Sequence, residues 1–156
     1  MHAARLHALA WSGLLGLALL SPAAAQSDGA TQAAIRTALT QWMADFNAGN
    51  ADKVCSLFAP DLVAQYRGQP ERGYGALCDL LKRSLNDRSK TYTYSLAIKE
   101  IIVAGDLAVV RLTWTLKVRS KDSGSEVSSD EPGMDIFRRQ ADGSWKIARY
   151  IAYESP

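Results

Sequence analysis

Val110-Arg111-Leu112-Thr113-Trp114-Thr115-Leu116-Lys117-Val118-Arg119 alternates without a break between apolar and polar side chains. A period of two puts the four aliphatic side chains and the tryptophan on one face of a strand, and the cations and threonines on the other. Turn formers close this strand at both ends, Gly105-Asp106 before it and Asp122 to Ser125 after it. Beyond the first turn, Tyr92, Tyr94, Leu96 and Ile98 alternate with Thr91, Thr93, Ser95 and Ala97. Beyond the second, Met134 to Arg139 predicts a third long strand, Ala141-Asp142-Gly143 a third turn, and Trp145 to Glu154 a last strand. Four strands joined by short turns form an antiparallel meander.

Upstream the period changes. Ile35, Leu39, Trp42 and Phe46 recur at the spacing of one helical face, with Ala38 and Met43 alongside. The helix stops at Asn47-Ala48-Gly49, where glycine can take the left-handed C-terminal position. Asn50 caps a predicted second helix with Asp52 in its first turn and Val54, Leu57 and Phe58 on one face, ended by Pro60. Leu62 to Tyr66 reads as a short strand and Gly68 to Gly73 as a loop. Leu77, Leu80, Leu81 and Leu85 are spaced for a third helix from Tyr74 to Asn86-Asp87. Three helices followed by a four-strand meander belong to the α+β class.

The N-terminus has a different character. Arg5 precedes an apolar run from Ala8 to Leu20, and Ser21-Pro22-Ala23-Ala24-Ala25 follows. That order is the signature of a signal peptide over residues 1–25, with cleavage after Ala25 leaving Gln26 as the first residue of one domain, 26–156. An apolar run of about a dozen residues is too short to span a bilayer core of roughly 30 Å. The expected location is the periplasm or the exterior, with no membrane contact after cleavage.

Composition narrows the chemistry. Lys and Arg number 18 against 16 Asp and Glu, and Arg5 leaves with the leader, so the mature chain is nearly neutral. Lys82-Arg83 and Arg138-Arg139 are isolated pairs without an interleaved aromatic platform, which argues against nucleic acid as a partner. Both histidines, His2 and His7, lie in the leader. Imidazole catalysis and most zinc ligand sets go with them, and no cofactor or metal is expected. Cys55 and Cys78 remain, an even number in an oxidising compartment. A disulfide tying the second helix to the third is the expected arrangement; two buried free thiols are the alternative.

The order helix, helix, short strand, helix and long meander resembles the nuclear transport factor 2-like superfamily, which includes ketosteroid isomerases and SnoaL-like proteins. The likeness rests on Trp42-Met43-Ala44-Asp45-Phe46-Asn47-Ala48-Gly49-Asn50, on Leu57-Phe58-Ala59-Pro60-Asp61, and on the stretch from Met134 to Ile147. It implies a cone-shaped, curled antiparallel sheet wrapped around the long first helix, with a pocket at the open end. By the same likeness Trp42, Phe46, Tyr66, Leu112, Trp114, Asp135, Phe137, Tyr150 and Ala152 are candidate pocket linings, with core packing as the alternative for the aromatic ones. The resemblance also implies dimers formed through the outer sheet face.

The isomerases of that superfamily use a carboxylate base on the short strand and hydrogen-bond donors for the developing enolate oxygen. Tyr66 stands at the base position with Gln65 before it, and Trp42 stands where the donating tyrosine would be. A phenol ionises near pH 10, so a ketosteroid isomerase is not expected. Asp135 matches the fourth-strand acid and could be a buried carboxyl with a raised pKa; an acid facing solvent, or paired with Arg111 or Arg149, is the alternative. The acid-arginine-acid arrangement of the limonene epoxide hydrolases lacks its second acid beside Arg111. Asp122 and the pair Asp130-Glu131 sit among serines and read as solvated loop. The reading that results is an exported domain binding a small apolar molecule in its cone. The alternatives are an isomerase or hydratase that uses Asp135, and a dimeric interaction module.

Overall fold

The alternating block at 110–119 lies inside a 14-residue strand, β4 (Leu107–Ser120), of a computed structural model that describes residues 22–155. Its neighbours are β3 (Lys90–Ala104) and β5 (Glu126–Arg139), both antiparallel to it, and β6 (Trp145–Ala152) pairs antiparallel with β5. The meander is therefore as the period-two pattern predicts. Gly105, at φ 61°, opens the two-residue turn between β3 and β4, a conformation only glycine adopts without steric cost.

Two further strands complete a six-stranded sheet in the order β2-β1-β6-β5-β4-β3. β1 (Phe58–Tyr66) runs parallel to β6, and the two-residue β2 (Arg72–Gly73) pairs with β1. The sheet is mixed, where uniformly antiparallel pairing was expected. Pro60 falls in the irregular stretch of β1 between Phe58 and Val63, where the ladder to β6 shifts and a missing N–H does no harm.

Two helices are present among the described residues, α1 (Pro22–Asn47) and α2 (Tyr74–Asn86). α1 begins before the predicted cleavage point; the rest of the predicted signal peptide, residues 1–21, lies outside the described residues. At its C-terminus the Gly49 N–H donates to the Phe46 carbonyl and the Asn50 N–H to the Asp45 carbonyl, a Schellman closure with Gly49 at φ 75°. The second predicted helix does not form. Residues 51–57 make successive turns, with Lys53 N–H on the Asn50 carbonyl and Ser56 N–H on the Lys53 carbonyl. Seven residues are too few to offset helix nucleation, and two of their carbonyls are taken from outside: Val54 by the Trp42 indole N–H (2.7 Å) and Leu57 by the Ile147 N–H (2.9 Å).

α1 lays Ile35, Leu39, Trp42 and Phe46 against the concave sheet, where Val110, Leu112, Phe137 and Ile147 complete the core. Burial of such large side chains contributes about 1.5–3 kcal/mol each. The helix also holds the free edge of β3. The Asn47 amide donates to the Tyr94 carbonyl (2.8 Å) while its oxygen accepts from the Tyr94 N–H (2.7 Å), and Gln32 donates to the Ile101 carbonyl (3.1 Å).

Candidate functional site

Between α1, α2 and the inner face of the sheet is a cavity of about 520 Å³. Strand register explains its lining. Along the inner face of β5 stand Glu131, Gly133 and Asp135, and each has fixed neighbours across the ladder. Asp135 pairs with Tyr150 on β6 and Val110 on β4; Gly133 pairs with Ala152 and Leu112; Glu131 pairs with Trp114. The chain past β6 stays alongside β5, with the Tyr153 N–H donating to Pro132 (3.2 Å) and the Ser155 N–H to Asp130 (2.8 Å), which sets Glu154 opposite Glu131. A side chain at Gly133 would come within 3.0 Å of the Ile151 carbonyl, so the middle rung is kept bare.

The side of the cavity between α1 and strands β3 and β4 is aromatic. Trp42 packs against Trp114, Tyr94 and Phe46 at ring separations of 5.2, 5.8 and 5.4 Å, and Phe58 meets Trp42 edge-on. Leu77 and Leu81 of α2 face them across the cavity. Its polar groups include Asp135, Tyr150 and Tyr66 on the sheet, and Glu131, Glu154, Arg72 and Gln69 toward the opening.

Asp135 is 4% exposed, and its Oδ2 is the one buried side-chain polar atom without a hydrogen-bond partner among the described residues. Burial pushes its carboxyl up to about 7. The arginines that could have neutralised it are engaged elsewhere, Arg111 with Glu100 (3.6 Å) and Arg149 with the Asp61 carbonyl (2.9 Å).

The profile of the SnoaL-like domain family matches residues 39–150. The chain belongs to that family. Solved structures similar to this SnoaL-like domain include a conserved protein from Planctomyces limnophilus DSM 3776, 25% identical, with 82% of this chain and 98% of that one covered at a TM-score of 0.71. A ketosteroid isomerase-like protein from Erwinia carotovora atroseptica SCRI1043 is 24% identical over 80% and 96% of the two chains, at 0.66. A nuclear transport factor 2-like protein with a cystatin-like fold from Novosphingobium aromaticivorans is 20% identical over 89% and 92%, at 0.69. These likenesses show the nuclear transport factor 2-like cone. No curated protein matches the sequence.

Of the predicted pocket residues, the SnoaL-like cone brings Trp42, Phe46, Tyr66, Leu112, Trp114, Tyr150 and Ala152 to one cavity together with Asp135. Phe137 is not among them. It lies one rung beyond Asp135, paired with Ala108 and Ile147 and wholly buried in the core under α1. Asp130-Glu131 belong to β5, and Glu131 lines the cavity where a solvated loop was expected. Burial, aided by Glu154, pushes the Glu131 carboxyl up to about 7. Tyr94 and Arg72 are also lining residues that the sequence reading did not single out; the strand period that places Trp114 inward places Tyr94 inward too.

The donors that remain are limited. Trp42 spends its indole N–H on Val54 and has none for a ligand. Burial and nearby carboxylates raise the Tyr66 phenol to about 12, and burial together with Asp135 raises Tyr150 to about 12. Cys55 and Cys78 form a disulfide with Cα atoms 5.5 Å apart; it joins the turn segment, rather than a helix, to α2 beside the cavity. Among the described residues no group of three acidic, cysteine or histidine side chains could hold a metal ion.

Proposed function

We propose that this SnoaL-like chain is an exported domain that binds a small, mostly apolar molecule in its cone and meets one oxygen of that molecule with Asp135. The observation that carries this is the unpartnered Asp135 Oδ2 at the wall of an aromatic cavity. A buried carboxyl left without a partner costs about 1–3 kcal/mol, which a ligand carbonyl or hydroxyl would recover. Export is supported by the leader-like N-terminus and by a disulfide, which persists in oxidising compartments. No helix among the described residues is long and apolar enough to cross a membrane.

A carboxyl near 7 also favours a second reading, acid–base turnover of the isomerase or hydratase kind. Binding is the stronger of the two because no base among the described residues is in reach of the same substrate atoms. The phenols of Tyr66 and Tyr150 are neutral at pH 7, and Glu131 lies two rungs away along β5, about 13 Å.

The test uses 2-acetylnaphthalene and 2-isopropylnaphthalene, which differ in the carbonyl, titrated at pH 6 against tryptophan fluorescence. The ketone should bind about tenfold more tightly, Asp135→Leu should remove the difference, and Asp135→Asn should keep part of it. No binding of either compound would overturn the proposal. Exchange of the acetyl hydrogens with deuterated water, lost in Asp135→Asn, would shift the reading to catalysis.

A further inference from the structure

The opening of the cavity carries a charge pattern that an apolar ligand does not explain. Glu131 and Glu154 face each other across adjacent strands on the inner face, and like charges directly opposite in a ladder are destabilising. Among the described residues neither forms an ion pair, and Arg72, the one cation on the lining, donates to Gln69 at 3.3 Å. On the other side of Glu131 the ladder partner is Trp114, whose ring packs against Tyr94 at 5.5 Å. The row across the opening therefore reads acid, acid, tryptophan. Two rungs deeper Asp135, buried and unpartnered, faces the same cavity. Two facing carboxyl groups beside a tryptophan, in a cavity with one guanidinium on its described lining, is the chemistry that receives an ammonium group.

We infer that the occupant of the cavity is a cation, a protonated or quaternary amine on an apolar body, with its charged end between the Glu131–Glu154 pair and the Trp114 ring. This rests on the cavity being a binding site. The apolar body lies over the bare rung at Gly133 and reaches the Trp42 cluster; the ammonium neutralises the paired acids and stacks on the indole face. Cation affinity also depends on pH. Glu131 is neutral below about 7, and it is faced by Glu154, Asp135, Arg72 and the phenols of Tyr66, Tyr94 and Tyr150. Glu131 and Asp135 ionise as pH rises through about 7 while the phenols stay neutral, so an ammonium binds more tightly at pH 8 than at pH 6.

Benzyltrimethylammonium and its neutral isostere neopentylbenzene separate the two ideas. Titrated into the full disulfide-bonded chain at pH 8 by tryptophan fluorescence, the ammonium should bind about tenfold more tightly than the isostere. Glu131→Gln should lower the ammonium to the level of the isostere, and Glu154→Gln, at an exposed position that folding does not need, should lower it part of the way. If the isostere binds as well as the ammonium, the cation inference falls and the apolar site stands. If neither binds up to the solubility of the isostere, both fall. An ammonium preference untouched by either glutamine substitution would overturn the placement.

Discussion

Asp135 ties stability to pH in a direction opposite to most surface acids. Its carboxyl titrates near 7 in the folded chain and near the ordinary 3.8 when unfolded, so between those values the folded state holds a proton that the unfolded state has released. Stability is then highest below about pH 4, falls as pH rises toward 7 and levels off above it, a loss of up to about 4 kcal/mol. Asp135→Asn removes the ionisation and keeps the shape. Its melting temperature should exceed that of the parent by several degrees at pH 8 and match it at about pH 3; a constant difference across that range would contradict the buried carboxyl. The residue was recognisable from its place among Met134, Ile136 and Phe137, because alternation assigns a face. Glu131 was not: serines, a proline and a glycine around it read as a turn, and only pairing with β4 makes them a strand.

At the scale of elements, the long periodic segments and the short strand at 62–66 were legible, and the 51–57 segment was not. α1, α2 and the meander follow from side-chain spacing that repeats over several turns or rungs. The 51–57 segment has apolar residues at helical intervals, yet its backbone is claimed by Trp42, Ile147 and the disulfide, none of which is adjacent in sequence. That segment depends on its cross-link. The bond between Cys55 and Cys78 spans 23 positions and, by restricting the unfolded chain, should contribute about 3 kcal/mol. Urea unfolding of Cys55→Ala/Cys78→Ala should show that loss, and the parent under reductant should show a similar one. Equal midpoints with and without the bond would mean that the turns hold by packing alone.

For the whole molecule, the face of the sheet turned away from α1 is left uncovered by the described residues. Ile102, Val109 and Ile136 lie in register across three strands there, and Met134 and Ile151 form the next pair. Four of these five are exposed, while the cations among them, Arg111 and Arg149, are paired with Glu100 and Asp61. The apolar strip is suited to a second copy related by a two-fold axis. Sedimentation should give a dimer at high micromolar concentration and a monomer for Ile136→Lys/Ile151→Lys; a monomeric parent would dismiss the interface. The edges of the sheet behave otherwise. One ends in a two-residue strand, and at the other Asn47 already occupies both backbone groups of Tyr94 that an incoming strand would need. A single amide at the end of α1 thus stands where fibrillar stacking would begin, and the rim, where strand addition has no natural stop, is closed to an incoming chain at that point.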